Sequence, residues 1–366
     1  MKILQVFDLC SITYGGGTVD ILYKLTRALM KRGHEVTICT GDYKLDRDPS
    51  FKYEIYPSII NIGSIRITPN VVSLDVRNYD VIHFHCYRSF MNYVLYSKAI
   101  KHGVPYIIDA HGSTVDMGGI MQPIRKLYDL VIGYKALDNA KVLIAETSIG
   151  LKEYERLGVR KYRVMMQHPL FDMSEFENLP QKGLFREKYG IKEKHIVLFL
   201  GRIHWAKGLD FLVNSVKNIE DTKLVIVGQD DGYKKELLKL IPDKMEVLFT
   251  GYLSGVEKLS ALVDADVLVQ PSRNEAGARP SLEAVLCNTP AIVTRDTGAG
   301  IEISQLNAGY LVNYGDTDNL ERIISGIFKD GKESSDKVKI AKEYIKRNLS
   351  MESQVVQYEK LYEGKA

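Results

Sequence analysis

Short apolar runs recur along the whole chain, and each is followed by a small or polar residue and then by a stretch with helical spacing. The first run spans 3–7, glycines occupy 15–17, helical spacing continues to Met30, and the next run spans 35–40. A strand, a glycine loop, a helix and a second strand form the βαβ unit of dinucleotide-type folds. Strands that alternate with helices build parallel sheets covered on both faces. The chain is therefore predicted to be an α/β protein.

The alternation pauses once, over residues 165–190, where Pro169 and Pro180 indicate a linker, and it restarts near residue 196. A length of 366 residues also suits two domains. We expect two Rossmann-like, doubly wound parallel sheets that face a central cleft, with ligands at the carboxyl ends of the strands. The predicted parts are an N-terminal Rossmann-like domain (1–170), a C-terminal Rossmann-like domain (171–348) and a C-terminal helix that crosses back to the first domain (349–366).

Composition argues against several partners and compartments. The net charge is only +3, so binding of nucleic acid is not expected. No apolar stretch is long enough to cross a bilayer. The four cysteines have no metal-binding spacing, and reduced thiols are usual inside the cell. A cytoplasmic protein is expected. The cysteines are Cys10, Cys39, Cys86 and Cys287.

One apolar segment, 117–137, carries the interleaved cations Arg125, Lys126 and Lys135. The simpler interpretation is an ordinary core helix. The other is an amphipathic helix that contacts a lipid-linked ligand. The second interpretation leaves open a peripheral contact with the inner face of the membrane.

The segment 270–284 combines an apolar run, a loop of small residues and a helix that begins near Pro280. Small residues let a ligand approach the backbone closely, and the free N–H groups of a helix start favour phosphate. Glu275 precedes the helix and Glu283 lies within it. Because carboxylates repel phosphate, we expect both to accept hydrogen bonds from sugar hydroxyls. The alternative for Glu283 is a solvated helix face.

The spacing of Glu275 and Glu283 resembles the signature of the retaining GT-B glycosyltransferases of family 4, the glycosyl transferases group 1. Further segments match in the same order, and together they cover essentially the whole chain. They are 1–4 with 15–17, 31–36, 80–85, 109–112, 200–202 and 207–210. The resemblance implies the GT-B fold and transfer of a hexose from a UDP- or GDP-sugar. It also implies that the N-terminal domain (1–170) lies on the acceptor side and that the C-terminal domain (171–348) binds the nucleotide sugar. The acceptor would be a glycan, a glycolipid or a small molecule, and the reaction would retain configuration without a metal or another cofactor.

The resemblance also implies residue roles. Arg202 and Lys207 would hold the donor diphosphate, His111 would contact the transferred sugar, and Glu275 and Glu283 would bind the hexose and the ribose. The predicted catalytic residues are His111, Arg202, Lys207 and Glu275. The predicted donor-binding residues are Gly16, Gly17, Arg202, Lys207, Gly277, Ala278, Arg279 and Glu283. No residue is assigned to a metal.

Several points stay open on the sequence. Ala278 stands where the family usually has glycine, and His168-Pro169 replaces a usual Asn-Gly in the linker. His85 is expected to line the site, and Glu302 is either a site residue or only a helix-start carboxylate. Two other functions remain. They are a nucleotide-sugar epimerase of the same two-domain architecture and a non-catalytic nucleotide-sugar-binding subunit.

Overall fold

The computed structural model describes residues 1–11, 16–62, 65–114, 122–166, 170–275, 277–329 and 331–365. Gly15 and the His168-Pro169 pair of the linker lie outside the described residues. The chain divides into two compact units. The first unit comprises Met1–Phe171 and Leu349–Ala366, and the second comprises Asp172–Asn348.

The first unit is built on a seven-stranded parallel sheet, with a separate two-stranded antiparallel ribbon formed by β4 and β5. Its strands are β1 (Lys2–Val6), β2 (Glu35–Gly41), β3 (Lys52–Tyr56), β4 (Ile60–Ile62), β5 (Ile65–Ile67), β6 (Val81–His85), β7 (Tyr106–Asp109), β8 (Val142–Ala145) and β9 (Val164–Met166). The order across the sheet is β3-β2-β1-β6-β7-β8-β9. The central strands are buried on both faces, as their continuous apolar sequences require.

Helices cover this sheet, and their ends follow the capping rules. Ser89 accepts a hydrogen bond from the backbone of Asn92 at one helix start, and Gly103 ends the same helix in the left-handed conformation. A π-helical turn, Asp129–Gly133, joins two helices into one continuous stretch. The helices are α1 (Gly16–Lys31), α2 (Phe90–His102), α3 (Gln122–Tyr128), α4 (Tyr134–Asn139) and α5 (Ser148–Arg156).

The second unit repeats the plan with six parallel strands in the order β12-β11-β10-β13-β14-β15. The strands are β10 (His195–Leu200), β11 (Thr222–Val227), β12 (Val247–Gly251), β13 (Val267–Gln270), β14 (Ala291–Thr294) and β15 (Tyr310–Val312). The helices are α6 (Leu184–Tyr189), α7 (Leu209–Val216), α8 (Lys234–Leu238), α9 (Gly255–Asp264), α10 (Arg279–Leu286), α11 (Gly298–Leu306), α12 (Thr317–Lys329) and α13 (Gly331–Asn348). The two doubly wound parallel sheets confirm the predicted fold class.

The last helix, α14 (Met351–Glu363), belongs to the first unit. Val355, Tyr358 and Leu361 on this helix share a buried apolar cluster with Leu25 and Leu29 of α1. Each of these side chains is almost fully withdrawn from water, so the helix is held by apolar burial.

In each sheet, the order in which successive strands are added reverses at one central strand. In the second unit β10 lies between β11 and β13, and in the first unit β1 lies between β2 and β6. Connections on the two sides of such a strand run to opposite faces, which leaves a crevice at the carboxyl ends of the strands. The loops that follow β10 and β13, and those that follow β1, β6 and β7, are therefore the places to look for function.

Five strands are not evident from the sequence: β3, β4, β5, β9 and β15. The β3 strand lies at a sheet edge and alternates charged and apolar residues, and the other four are only three residues long. A three-residue strand gives no periodicity to recognise.

The carboxylates of Asp264 and Asp266 have structural roles. Asp264 accepts hydrogen bonds from the backbone of Gly183 and Phe185, and Asp266 accepts one from Ile196. Both therefore fix local backbone at the amino-terminal side of the sheet, away from the crevice loops.

Candidate active site

In the second unit, the loop after β10 is tied to the loop after β13. The backbone N–H groups of Arg273 and Asn274 both donate to the carbonyl of Ala206, at 2.9 and 3.4 Å. Gly208 has a φ of 66°, and a side-chain carbon there would overlap the carbonyl of Pro271. Only glycine allows this approach, so the sequence itself brings the two loops together at the switch point.

Two predicted residues meet where these loops join. The ammonium of Lys207 lies 2.6 Å from Glu275 Oε2, and the hydroxyl of Ser272 donates to the same oxygen at 3.1 Å. The Lys207 and Glu275 side chains are 20% and 14% exposed. The carbonyl of Glu275 accepts a 2.7 Å hydrogen bond from the backbone of Gly298. A cation and a carboxylate are thus fixed together in partial shelter from water.

Arg202 occupies the rim of the same crevice but is not part of this pair. Its side chain is 67% exposed and forms an ion pair with Asp231, in the loop that follows β11. The backbone of Ile203 is paired with the same loop through Gln229 and Asp231. Arg202 and Lys207 therefore have different ion-pair partners, and their shared role toward one diphosphate stays a prediction.

The start of α10 lies directly after the Glu275 loop. Ala278 is buried, and its backbone N–H donates to Glu302 Oε2 at 2.9 Å. Glu302 is itself buried and supports the loop through this hydrogen bond, and its assignment as a site residue stays a prediction. Gly277 and Arg279 flank Ala278 on the two sides of this anchored residue.

Glu283 does not lie on a solvated helix face. Its side chain is buried, and its carboxylate lies 3.0 Å from Lys258 Nζ and 3.5 Å from Arg279 Nε. The alternative interpretation from the sequence is therefore wrong. A buried carboxylate held by two cations has a fixed orientation, as a ligand-binding group requires.

Arg273 is a residue that the sequence analysis missed. Its guanidinium makes two hydrogen bonds to Asp210, at 2.9 and 2.5 Å, and lies over the rings of Trp205 and Tyr314. It also donates to the carbonyl of Trp205 at 2.6 Å. Arg273 thereby locks the β10 loop to the β13 loop. Its place in the loop after a central strand was the available signal.

In the first unit, His111 follows β7 and is held in a left-handed conformation with a φ of 44°. Its Nδ1 lies 2.8 Å from Glu146 Oε1 and 3.6 Å from Asp109 Oδ1, and its Nε2 lies 2.8 Å from Nδ1 of His85. The other ring nitrogen of His85 contacts Gln5 Oε1. A non-glycine residue at positive φ is strained. The contacts on both ring nitrogens hold the imidazole in place despite this strain.

The chain of contacts continues to α14. His83 lies 2.9 Å from the hydroxyl of Tyr362 and stacks on His85 at 4.2 Å. The hydroxyl of Tyr358 donates to Asp109 Oδ2 at 3.3 Å. We call Gln5, His83, His85, Asp109, His111, Glu146, Tyr358 and Tyr362 the histidine network. His85 is buried and supports His111 through this contact, and its lining role stays a prediction.

Burial controls protonation in the histidine network. Desolvation lowers the pKa values of His83 and His85 well below their usual value, and the charges of neighbouring imidazoles add to the effect. Desolvation also raises the pKa of Asp109 to about 7, although His111 acts in the opposite direction. His83 and His85 are consequently neutral, and His111 lies between a neutral imidazole and the carboxyl groups of Asp109 and Glu146.

Asp109, His111 and Glu146 also form the group with metal-ligand potential among the described residues. One ligand atom from each lies within 4.8 Å of the others. The 2.8 Å contact between His111 and Glu146 and the Tyr358 hydrogen bond to Asp109 already engage these groups. We therefore interpret the trio as hydrogen-bonded, and the absence of a metal stays a prediction.

Gly16 and Gly17 are the first two residues of α1 and are exposed to solvent. Gly16 has a φ of 59°, which glycine adopts without strain. Both glycines lie at a helix start, where the backbone N–H groups have no partner within the helix. Their assignment to the donor stays a prediction.

Two doubly wound sheets with the anchored loops of the second unit define the GT-B class of proteins. Residues 15–175 match the model for glycosyltransferase family 4, and residues 181–344 match the model for glycosyl transferases group 1. The chain therefore belongs to the group 1, family 4 glycosyltransferases, as the sequence motifs predicted.

Similar proteins span most of the chain. An uncharacterised glycosyltransferase of Methanocaldococcus jannaschii, MJ1607, is 24% identical over 76% of this chain and 76% of its own. The N-acetyl-alpha-D-glucosaminyl L-malate synthase of Bacillus anthracis is 23% identical over 98% and 96%. Among solved structures, Anabaena HepE in complex with UDP and glucose has a TM-score of 0.79 at 18% identity, with 98% of each chain covered. No described helix has the length and hydropathy needed to cross a membrane.

Proposed function

We propose that this glycosyltransferase moves a hexose from a nucleoside-diphosphate sugar to an acceptor hydroxyl, with retention of configuration and without a metal. The observation that carries the proposal is the 2.6 Å contact between Lys207 and Glu275 at the carboxyl ends of β10 and β13. A cation for phosphate and a carboxylate for sugar hydroxyls stand together there. The similar fold of HepE, whose complex holds UDP and glucose, supports a nucleotide-sugar donor.

The proposed donor contacts follow from the charges. The ammonium of Lys207 and the positive end of the α10 dipole neutralise the diphosphate. Arg202 reaches the same phosphates from the rim. Glu283, fixed by Lys258 and Arg279, accepts hydrogen bonds from the ribose. Glu275 accepts them from the hexose, and in the free enzyme Lys207 keeps its carboxylate oriented.

The proposed reaction breaks the bond between the anomeric carbon and the diphosphate oxygen. The electron pair stays on the diphosphate, where the fixed cations stabilise the developing charge. The acceptor oxygen bonds to the anomeric carbon on the face that the diphosphate leaves, and its proton passes to a diphosphate oxygen. His111, held by Glu146 and His85, contacts the transferred sugar in this proposal.

The test separates the two glutamates. Titration calorimetry with UDP and GDP is run beside steady-state kinetics with a panel of UDP- and GDP-sugars. Glu283→Ala should weaken both nucleoside diphosphate and donor by about 10- to 100-fold, because one hydrogen bond to a charged group is worth about 1.5–3 kcal/mol. Glu275→Ala should leave nucleoside diphosphate affinity unchanged and lower kcat, because that ligand lacks the hexose.

Glu220→Ala is the matched control, because Glu220 is an exposed glutamate of the same unit. Glu220→Ala should change neither the nucleoside diphosphate affinity nor kcat. Equal weakening of the nucleoside diphosphate by Glu275→Ala and Glu283→Ala would disprove the division of roles. Conversion of the donor alone into an isomer would identify an epimerase, and donor binding without turnover under any acceptor would identify a non-catalytic subunit.

A further inference from the structure

The helical stretch 122–139 packs on the first unit through one side only. Ile132, Ala136 and Leu137 are buried against the domain, and the hydroxyl of Tyr106 donates to the carbonyl of Ala136 at 2.6 Å. The π-helical turn places Gly133 against the hydroxyl of Tyr87, where a larger side chain would not fit. This inner side fixes the orientation of the whole stretch.

The opposite side of the stretch is apolar and faces solvent. Its five large side chains are between 45% and 73% exposed. We call Ile124, Leu127, Leu130, Val131 and Tyr134 the outer apolar face. The sequence favoured a core helix for this segment, and for these five residues that interpretation is wrong. A contiguous exposed apolar surface of this kind marks an interaction site.

The charge along the same stretch is not balanced. Asp129 makes two hydrogen bonds with Arg88, at 2.9 and 2.8 Å, and Asp138 lies 3.6 Å from Arg163. Both acids of the stretch are therefore paired with arginines from other elements. Among the described residues, its own cations form no ion pair. These cations are Arg125, Lys126 and Lys135.

A cavity of about 330 Å³ opens beside the outer apolar face. Four cationic side chains, Arg88, Arg125, Lys126 and Arg156, line it together with Asp129. Within the described part of the chain, Nη1 of Arg125 is buried and has no hydrogen-bond partner. A buried donor without an acceptor is unfavourable, so the cavity suits an anionic oxygen, above all one of a phosphate.

We propose that this surface docks on an anionic lipid bilayer, with the outer apolar face in the headgroup boundary and a lipid phosphate in the cavity. Apolar side chains flanked by cations are the combination that binds such surfaces. A second copy of the chain is disfavoured, because a two-fold contact places the same patch on both partners. The unpaired cations would then face each other, whereas an anionic surface attracts them. The proposal does not rest on the transfer reaction.

The test is co-sedimentation of the full chain with vesicles of phosphatidylcholine, with and without phosphatidylglycerol. Binding is expected to the anionic vesicles, to fall as salt is added, and to be much weaker on phosphatidylcholine alone. Arg125→Gln with Lys126→Gln should weaken binding about 25-fold, at about fivefold per cation removed.

The apolar contribution has its own matched pair of variants. Leu127→Ser with Leu130→Ser should reduce vesicle binding at least tenfold. Val256→Ser with Ile340→Ser should leave it unchanged, since these apolar side chains of the second unit are equally exposed. Circular dichroism and nucleoside diphosphate calorimetry check that each variant is folded.

Three results would overturn the proposal. One is the absence of binding to vesicles rich in phosphatidylglycerol at low salt. The second is unchanged binding by the Leu127→Ser, Leu130→Ser variant. The third is a dimer in gel filtration that this variant converts to a monomer without any change in vesicle binding, which would assign the outer apolar face to a second copy.

Discussion

The two units carry candidate sites at the carboxyl ends of similar parallel sheets, but the sites differ in chemistry. In the second unit the crevice loops carry ion pairs: Lys207 with Glu275 is partly sheltered from water, and Arg202 with Asp231 is largely exposed. In the first unit His111 is attached to a network of buried imidazoles, carboxylates and tyrosine hydroxyls. Similar sheets therefore support an adaptable site of ion pairs in the second unit and a rigid site of buried hydrogen bonds in the first.

The difference has a physical reason. Charged side chains near the surface can exchange their partners for an arriving anion without large desolvation, because effective dielectric constants there are high. A buried imidazole has no such freedom, and its orientation depends on every neighbouring hydrogen bond. Substitutions in the second unit should therefore act on charge stabilisation, and those in the first unit on positioning.

The largest expected effect is at Lys207. Lys207→Ala should lower kcat by about 10²–10³, as loss of one donor to the leaving group does. Arg202→Ala should cost less, about tenfold, because its guanidinium is largely exposed and water screens it. Lys244→Ala, at an exposed lysine of the same unit, is the control. The measurement is steady-state kinetics with saturating donor, and a larger loss for Arg202→Ala than for Lys207→Ala would reverse the assignment.

The second largest expected effect is at Glu146, which contacts His111 Nδ1. Glu146→Gln should lower kcat about 10- to 100-fold, because a hydrogen bond to a charged group contributes about 1.5–3 kcal/mol. Nucleoside diphosphate affinity should not change, since that ligand is assigned to the second unit. Glu155→Gln, at an exposed glutamate of α5, should have no effect. Calorimetry should be run on Glu146→Gln and Lys207→Ala. If both variants weaken nucleoside diphosphate binding equally, the assignment of that ligand to the second unit alone is wrong.

Stability should depend on acidity through the histidine network. His83 and His85 stay neutral in the folded chain but take up protons on unfolding, so the free energy of unfolding falls as the pH drops below about 6.5. Each contributes about 1.4 kcal/mol per pH unit. Asp109 acts oppositely between about pH 4 and 7, because the folded chain keeps its proton and the unfolded chain does not.

Removal of one imidazole isolates this contribution. Between pH 6 and 5 the wild-type chain should lose about 1.4 kcal/mol more per pH unit than His83→Phe. The measurement is urea unfolding of both proteins across that range, and only the difference in slope is compared. Equal slopes would mean that His83 is protonated in the folded chain.

The smallest effect is expected for metal removal. If Lys207, Arg202 and the α10 start neutralise the diphosphate, excess chelator should change kcat by less than about twofold. Activity that is lost in chelator and restored by one divalent ion would contradict this. The Asp109, His111 and Glu146 trio would then have to be reconsidered as a metal site, which Asp109→Asn would test through metal affinity.

The sequence predicts the second-unit site better than the first-unit one, for a physical reason. Lys207, Glu275 and Glu283 lie in short loops or at a helix start directly after strands, so local pattern places them at one edge of the sheet. The pairing of Arg202 with Asp231 depends on side-chain geometry, which spacing does not encode. The anchoring carboxylate of Glu302 was visible but could not be distinguished from an ordinary helix-start residue.

The histidine network was mostly hidden because its members come from distant parts of the chain. Gln5 lies inside an apolar strand, Glu146 is a single acid after β8, and Tyr358 and Tyr362 lie on α14. None of these residues forms a motif with its sequence neighbours. The exposure of Leu127 and Leu130 was missed for a related reason. An apolar helix has the same sequence pattern whether its apolar side chains face a core or a surface.

The return of α14 to the first unit has a consequence for biosynthesis. The second unit, Asp172–Asn348, is continuous in the chain, whereas the first unit needs residues translated after it. At about 5–20 residues per second, the ribosome spends on the order of 10–35 s on that insertion. During this time the nascent first unit lacks Tyr358 and Tyr362, so His83 and Asp109 have not yet met their hydroxyl partners. The domain whose synthesis begins first is therefore the last to mature, and a chaperone that shields its uncovered α1 would act in that interval.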